Sequence, residues 1–207
     1  MNENKKQEII TNLNQYKLEI IEVLIAGNGG HFNKYFKIKS KFIKNDFDEQ
    51  FKKVFCNFYR LNGPGGLNTS QKNKFFELLF LKENDLKNNL KILHEIPGYK
   101  NSHKLFLSFV TKLQHTINDK LPIYDKNIAS ILELQSPTYP TSLEERIKNR
   151  MDIYQELKNN FAILLADEQI KNYLKNIRQE LQHKATLCKF NWFDEFISDT
   201  KLLDSSL

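Results

Sequence analysis

The chain has 207 residues, of which 40% are apolar and 27% charged, and its net charge is +6 at pH 7. This length fits one domain with a substantial core, to which 16 Phe residues contribute large apolar side chains. No run approaches the ~20 apolar residues that a membrane span needs, and residues 1–6 lack the apolar core of a signal peptide, so we expect a cytoplasmic protein without membrane contact.

Apolar residues recur at helical spacing along most of the chain, and no alternating run bounded by turns indicates a strand. Glycine-rich breaks at 27–30 and 62–66 end the first two helices. Helices are predicted over residues 5–25, 47–61, 71–81, 85–95, 102–117 and 125–134, with two or three more between 143 and 202. The sequence therefore predicts an all-α fold.

Candidate N-caps mark two of these helices. Ser70 can cap the helix that starts near 71. Either Thr141 or Ser142, each with a Glu three residues later, forms a capping box for the long helix that follows the break at 136–141. We find no internal repeat, and we predict a single helical domain over 1–207 with a candidate subdivision near 136–141.

The most informative segment joins the helices predicted at 85–95 and 102–117. Ile96-Pro97-Gly98 predicts a tight turn, and Leu121-Pro122-Ile123-Tyr124-Asp125 follows one helix later. The intervening helix has an apolar face and an opposite polar face, the latter made by residues 104, 108, 111, 112 and 115.

This layout resembles the helix-hairpin-helix DNA glycosylases, the superfamily of 8-oxoguanine glycosylase and endonuclease III, in a divergent bacterial branch. There an L-P-G-x-G hairpin precedes a helix, and an aspartate follows about twenty residues later. The resemblance covers residues 85–134 and departs from the pattern at Lys100, where the second glycine is expected. It implies a compact multi-helix domain containing this motif, and a DNA glycosylase, with or without lyase activity, that removes a damaged or modified base from double-stranded DNA.

The resemblance also implies a catalytic pair. Asp125 corresponds to the aspartate that stabilises positive charge at the sugar as the base departs, although an aspartate before a helix is also a good N-cap. Bifunctional members add a lysine that forms a Schiff base with the sugar. Lys104 and Lys112 lie 21 and 13 residues before Asp125, and either can serve, or both can simply be solvated.

The hairpin itself is implied to bind a DNA phosphate through backbone N–H groups. The residues assigned to this contact are Pro97, Gly98, Tyr99, Lys100 and Ser102. The alternative is an ordinary Pro-Gly link between two helices. The positive net charge also favours a polyanionic partner.

A base flipped out of a duplex is usually stacked on an aromatic ring and held by polar groups. The candidates for such a base pocket are Tyr59, Arg60, Tyr124 and Trp192. For each aromatic residue the alternative is packing in the core.

No metal or other cofactor is expected. The five histidines lack ligand spacing, and the cysteines, Cys56 and Cys188, are too few for an iron–sulfur cluster and are expected to be buried free thiols. We expect a monomer. The second hypothesis is a non-catalytic helical protein that binds nucleic acid, and the third is a helical protein-interaction module.

Overall fold

A computed structural model describes residues 1–25, 30–63, 65–187 and 197–207. Within these residues the chain forms eleven α-helices and no β-strand, which confirms the all-α prediction. The helices are α1 Glu3–Gln15, α2 Lys17–Ile25, α3 His31–Ile43, α4 Glu49–Phe58, α5 Thr69–Phe80, α6 Leu86–Glu95, α7 Leu107–Ile117, α8 Lys126–Ile131, α9 Leu143–Ala166, α10 Glu168–Leu187 and α11 Asp199–Ser206.

Two differences from the predicted helices lie near the N-terminus. The helix predicted over 5–25 is two helices, because the chain leaves the helical conformation at Tyr16. No helix was predicted where α3 forms. Its apolar residues have helical spacing, but it follows Gly30, which provides no capping side chain, so the usual start signal is absent.

The helix predicted over 102–117 begins five residues later, at Leu107. Lys100 and Asn101 both have positive φ angles, of 53° and 60°, which turn the backbone sharply. The carbonyl of Ser102 then accepts a hydrogen bond from Gly98 N–H at 2.7 Å. Residues 102–106 are consequently non-helical, and the prediction for this stretch was wrong.

One hydrophobic cluster runs from Ile9 to Leu203 and draws on all eleven helices. Part of it is aromatic: Phe47 stacks on Phe80 with ring centroids 4.2 Å apart, and Phe55 packs edge-on against Phe76. Such pairs add to the free energy gained by burying the rings.

Helix α7 lies inside this assembly, with both of its faces covered. Its apolar residues Val110 and Leu113 are fully buried, and so are Thr111 and His115 on the face predicted to be polar, and Thr116 beside them. Buried polar side chains must find hydrogen-bond partners inside the protein, so α7 is a centre of internal hydrogen bonding.

The start of α5 fixes the turn at Pro97. The N-cap of α5 is Asn68, not Ser70, and it forms a capping box with Gln71. Asn68 Nδ2 also donates to Pro97 O and Gln71 Nε2 to Ile96 O, each at 2.9 Å. These bonds hold the loop between α6 and α7 against α5.

Of the two candidate caps for the long helix, Ser142 is the one used. Its hydroxyl accepts a hydrogen bond from Glu145 N–H at 3.5 Å, and α9 then continues for 24 residues.

We expect Asn68→Ala to lower the free energy of unfolding by about 0.5–2 kcal/mol, the usual effect of losing an N-cap, with a further loss from the bond to Pro97 O. Urea unfolding followed by circular dichroism measures the change. Asn73→Ala, at an exposed position inside the same helix, is the matched control and should be neutral or slightly stabilising. Equal effects of the two substitutions would contradict this role of Asn68.

Candidate functional site

A cavity of about 300 Å³ opens where α3 begins, where α4 ends, and beside α7, the start of α8 and α11. Its charged and titratable lining residues are Arg60, Lys112, Lys201, Asp125, Asp204 and His31. Its apolar lining includes Phe58, Ile123, Ile128 and Leu207. The volume lies at the lower end of the range of small-molecule sites.

Four of the residues predicted for the site line this cavity: Lys112, Asp125, Tyr59 and Arg60. The lining includes none of the predicted residues Pro97, Gly98, Lys100, Ser102, Lys104 and Tyr124. The backbone of Tyr99 forms a 3₁₀ turn with the two residues that follow it. Trp192 and Cys188 lie outside the described residues, and Cys56 is a buried free thiol.

The amine of Lys112 is half-buried and donates a hydrogen bond to the backbone carbonyl of Tyr59 at 3.2 Å. It lies 5.2 Å from the centroid of the Phe109 ring. Burial lowers the pKa of Lys112, because an ammonium group loses hydration there, and this outweighs the opposite effect of Asp125 and Asp204. A lowered pKa increases the fraction of neutral amine, which is the nucleophilic form.

Asp125 is the N-cap of α8, and its Oδ1 accepts a hydrogen bond from Asn127 N–H at 2.8 Å. The residue before it is tied to α7, since Tyr124 N–H donates to Thr111 Oγ1 at 3.0 Å. Thr111 is the sequence neighbour of Lys112. This bond therefore anchors the start of α8 beside the turn of α7 that carries the amine.

Helix α11 supplies a buried ion pair to the cavity wall. Lys201 Nζ lies 2.7 Å from Asp204 Oδ2, and the two side chains are only 3% and 6% exposed. Asp204 Oδ1 is buried without a hydrogen-bond partner among the described residues. Ser198 Oγ donates to the carbonyl of Asp119 at 2.6 Å and so fastens the helix to the α7–α8 loop.

Two histidines complete the surroundings of the cavity, His31 partly buried and His115 fully buried. His31 packs on the Phe58 ring, with centroids 4.8 Å apart, and burial lowers its pKa to about 4. His115 is fully buried, with Nδ1 2.7 Å from the Leu121 carbonyl and Nε2 3.4 Å from the Tyr35 hydroxyl. Burial holds the pKa of His115 well below its usual range, so both rings are neutral at pH 7.

No local pattern in the sequence predicts the contributions of α3 and α11 to the cavity. A lysine and an aspartate three residues apart on a short polar helix, such as Lys201 and Asp204, are typical of a solvated surface. His31 follows a glycine-rich stretch, where no helix was predicted. Only their three-dimensional placement shows that these side chains are buried at the cavity.

The aromatic candidates and Arg60 occupy different environments. Tyr59 is buried against Phe55 and Phe58, and its ring centroid lies 4.6 and 4.7 Å from theirs. It therefore packs in the core, which was the alternative to a role in a base pocket. Arg60 is exposed at the end of α4 with a positive φ of 55°. Of the two, Arg60 can therefore reach a ligand at the cavity mouth without disturbing the core.

The turn after α6 differs from the predicted phosphate-binding hairpin. Gly98 N–H is already bonded to Ser102 O, and Asn101 N–H to Gly98 O at 3.2 Å. Lys104 is exposed in the non-helical segment, so its predicted place at the start of a helix was wrong. Of the two lysine candidates, only Lys112 lies at the cavity.

No group of three or more His, Cys, Asp or Glu side chains suited to a metal ion occurs among the described residues. Within the same residues, no helix is long and apolar enough to cross a membrane. Comparison with protein families, curated proteins and solved structures finds no match to the chain.

We expect the free energy of unfolding to fall as the pH drops from 6.5 to about 4. His31 has a pKa of 6.5 in the unfolded chain and about 4 in the folded protein. Between these two pH values the unfolded chain binds a proton that the folded chain does not, so acid favours unfolding. Outside this interval His31 adds no slope. In urea unfolding at a series of pH values, the free energy of unfolding should depend less steeply on pH for His31→Phe than for the unmodified protein. Part of the dependence should remain, because His115 is also buried in its neutral form.

His183→Phe, at an exposed position on α10, is the control and should leave the slope unchanged. A slope in His31→Phe identical to that of the unmodified protein would contradict the burial of a neutral His31.

Proposed function

We propose that the protein is a DNA glycosylase with lyase activity, in which Lys112 is the nucleophile and Asp125 the electrostatic partner. The observation that carries this proposal is the shared cavity, which is lined by both a lysine with a lowered pKa and a carboxylate fixed at a helix start. A perturbed lysine beside a carboxylate in a cleft is a frequent mark of a reactive site.

The cavity suits a base taken out of its stack. Its volume of about 300 Å³ accepts a ligand of small-molecule size, and its lining combines apolar side chains with fixed charges. An enzyme that cleaves the bond between a base and its sugar must extrude the nucleotide to reach that bond. Arg60 at the rim and Asp204 on the wall provide polar contacts for the extruded base.

The proposed reaction begins with the neutral amine of Lys112. Its lone pair forms a bond to C1′ of the sugar, the bond between C1′ and the base breaks, and the base leaves with the electron pair and takes up a proton. The attacking nitrogen loses a proton, and its lone pair forms the second C1′–N bond as the C1′–O4′ bond breaks. O4′ leaves with the electron pair of that bond and takes up a proton, so the sugar ring opens and a protonated Schiff base results. Loss of a proton from C2′ then expels the 3′ phosphate and cuts the strand.

Asp125 acts on the charge that develops during this reaction. As the base departs, positive charge builds on the sugar, and a carboxylate held in place stabilises that charge more than it stabilises the ground state. The N-cap bond to Asn127 N–H fixes the carboxylate before the substrate arrives. Little reorganisation is then needed in the transition state.

A specific observation supports the second hypothesis, a non-catalytic binding protein. The Gly98 N–H, which the resemblance assigns to a phosphate, is bonded to Ser102 O. A scaffold that has lost this contact can retain the cavity without the reaction. The experiments below separate the two.

We expect Asp125→Asn to reduce base release by about 10²-fold or more through the loss of charge stabilisation. Asn caps a helix nearly as well as Asp, so folding should be preserved. The assay measures free base released from duplexes that carry oxidised, alkylated, deaminated or hypermodified bases. Asp85→Asn is the matched control, because Asp85 is also a helix N-cap, accepts a bond from Asn88 N–H at 3.0 Å, and is not among the residues lining the cavity.

Release of no base from the whole panel by the unmodified protein would overturn the enzymatic proposal. So would full activity of Asp125→Asn, or an equal loss in Asp85→Asn.

We expect Lys112→Gln to abolish the covalent adduct that borohydride traps by reducing the Schiff base to an amine. Lys104→Gln, at the exposed candidate lysine, should trap as much adduct as the unmodified protein. Because only the neutral amine attacks, trapping should rise with pH, with a midpoint below 10.5, the ordinary pKa of a lysine. Trapping that survives in Lys112→Gln and disappears in Lys104→Gln would reverse the assignment.

A further inference from the structure

The sequence from Val23 to Asn45 contains no Asp or Glu, although the chain as a whole has 25. The same stretch contains five lysines, at positions 34, 37, 39, 41 and 44. A run of one charge sign with this length produces a strong local potential. It coincides with α3, the helix whose first residue lines the cavity.

Three of the five lysines lie on the outer face of α3, and a fourth, Lys44, is the residue that caps its C-terminus. At 100° per residue, Lys34, Lys37, Lys41 and Lys44 fall within about 80° of arc. The opposite face is buried in the core by its aromatic and aliphatic side chains, except for Ile43 at its end, which is 56% exposed. The helix is thus amphipathic, with a purely basic outer stripe.

Three lysines of this stripe keep their charge uncompensated. Lys41 is paired with Asp46 and Asp48 at 2.7 and 2.8 Å. Lys34, Lys37 and Lys44 form no ion pair with the described residues. Holding these three charges close together without ion-pair partners raises the energy of the folded protein, and an anionic partner would remove that penalty.

The stripe starts at the cavity. His31, at the start of α3, lines the cavity, and Lys34 lies one turn further along the helix. From Lys34 to Lys44 the stripe extends over about 15 Å, at 1.5 Å per residue. DNA carries one phosphate per about 3.4 Å of each strand, so this length spans several phosphates.

We infer that the outer face of α3, through Lys34, Lys37 and Lys44, binds the phosphate backbone of duplex DNA beside the nucleotide that enters the cavity. This inference rests on the proposed function and names the surface that the function requires. It places the backbone contact on α3 and not on the turn at 97–102, where Gly98 N–H is bonded within the protein.

An anionic membrane is the competing partner for a basic helix. A helix that lies on a membrane inserts an apolar face between the lipids. The apolar face of α3, including Phe32, Tyr35 and Phe36, is buried in the protein core and cannot do so. Binding to the DNA backbone requires only the exposed positive charges of the stripe.

The test compares two triple substitutions that remove the same charge. K34Q/K37Q/K44Q alters the stripe, and K148Q/K171Q/K175Q alters exposed lysines on α9 and α10. Glutamine has nearly the helix propensity of lysine, and thermal unfolding monitored by circular dichroism checks that both variants fold. Fluorescence anisotropy of a labelled duplex gives the binding constant over a series of salt concentrations.

For the α3 variant we expect the slope of log K against log salt to become shallower by about 2–3, since each phosphate contact contributes about 0.9. The control variant should keep the slope of the unmodified protein. Equal changes in both variants, an unchanged slope in the α3 variant, or no duplex binding by the unmodified protein at low salt would overturn the inference. The inference would also be overturned if the protein bound vesicles of anionic phospholipid and the triple substitution weakened this binding more than it weakened binding to DNA.

The same variants separate this inference from the proposed function. Duplex binding that depends on α3 without any base release supports the surface and contradicts the glycosylase. If the protein releases a base and the α3 variant binds DNA with the same salt dependence as the unmodified protein, the result supports the glycosylase and contradicts the proposed surface.

Discussion

The burial of the polar face of α7 inside an apolar bundle is the constraint on which the rest of the structure depends. Each polar side chain of α7 that loses water must be satisfied internally, or the fold loses about 1–3 kcal/mol per group. Thr111 Oγ1 accepts a hydrogen bond from the backbone N–H just before α8, and His115 is hydrogen-bonded to the carbonyl of Leu121. Gln114 Nε2 donates a hydrogen bond to the carbonyl of Asn84 at 2.9 Å. Connecting segments are therefore held in place by α7 and not by their own preferences.

The cavity is a result of this arrangement. The same bonds that satisfy α7 draw the α7–α8 loop inward, and α11 docks on that loop through Ser198. Lys112 is the α7 side chain that reaches the edge of this buried polar region, which is why its amine is half-buried and its pKa lowered. Asp125, Lys201 and Asp204 surround the region from other elements.

The sequence predicted the helices well where apolar spacing and capping residues agree, as in α4, α6 and α8. It failed where the start signal was absent, at α3, and where backbone turns override spacing, at 102–106. Asp125 and Lys112 were singled out through the family resemblance, with Asp125 at a predicted helix start and Lys112 on a polar helix face. The burial of Lys201, Asp204 and His115 depends on contacts between distant segments, which no local pattern of charge or hydropathy encodes.

The left-handed conformation of Lys100 affects how turns can be predicted from a sequence. A residue with a side chain gives up roughly 1–2 kcal/mol to adopt a conformation that glycine accepts freely. The surrounding bonds, from Asn68 to Pro97 and from Gly98 to Ser102, hold the turn and so tolerate that strain. A residue other than glycine can therefore occupy a left-handed position when neighbouring bonds hold the turn, and glycine patterns alone do not reveal such turns in a sequence.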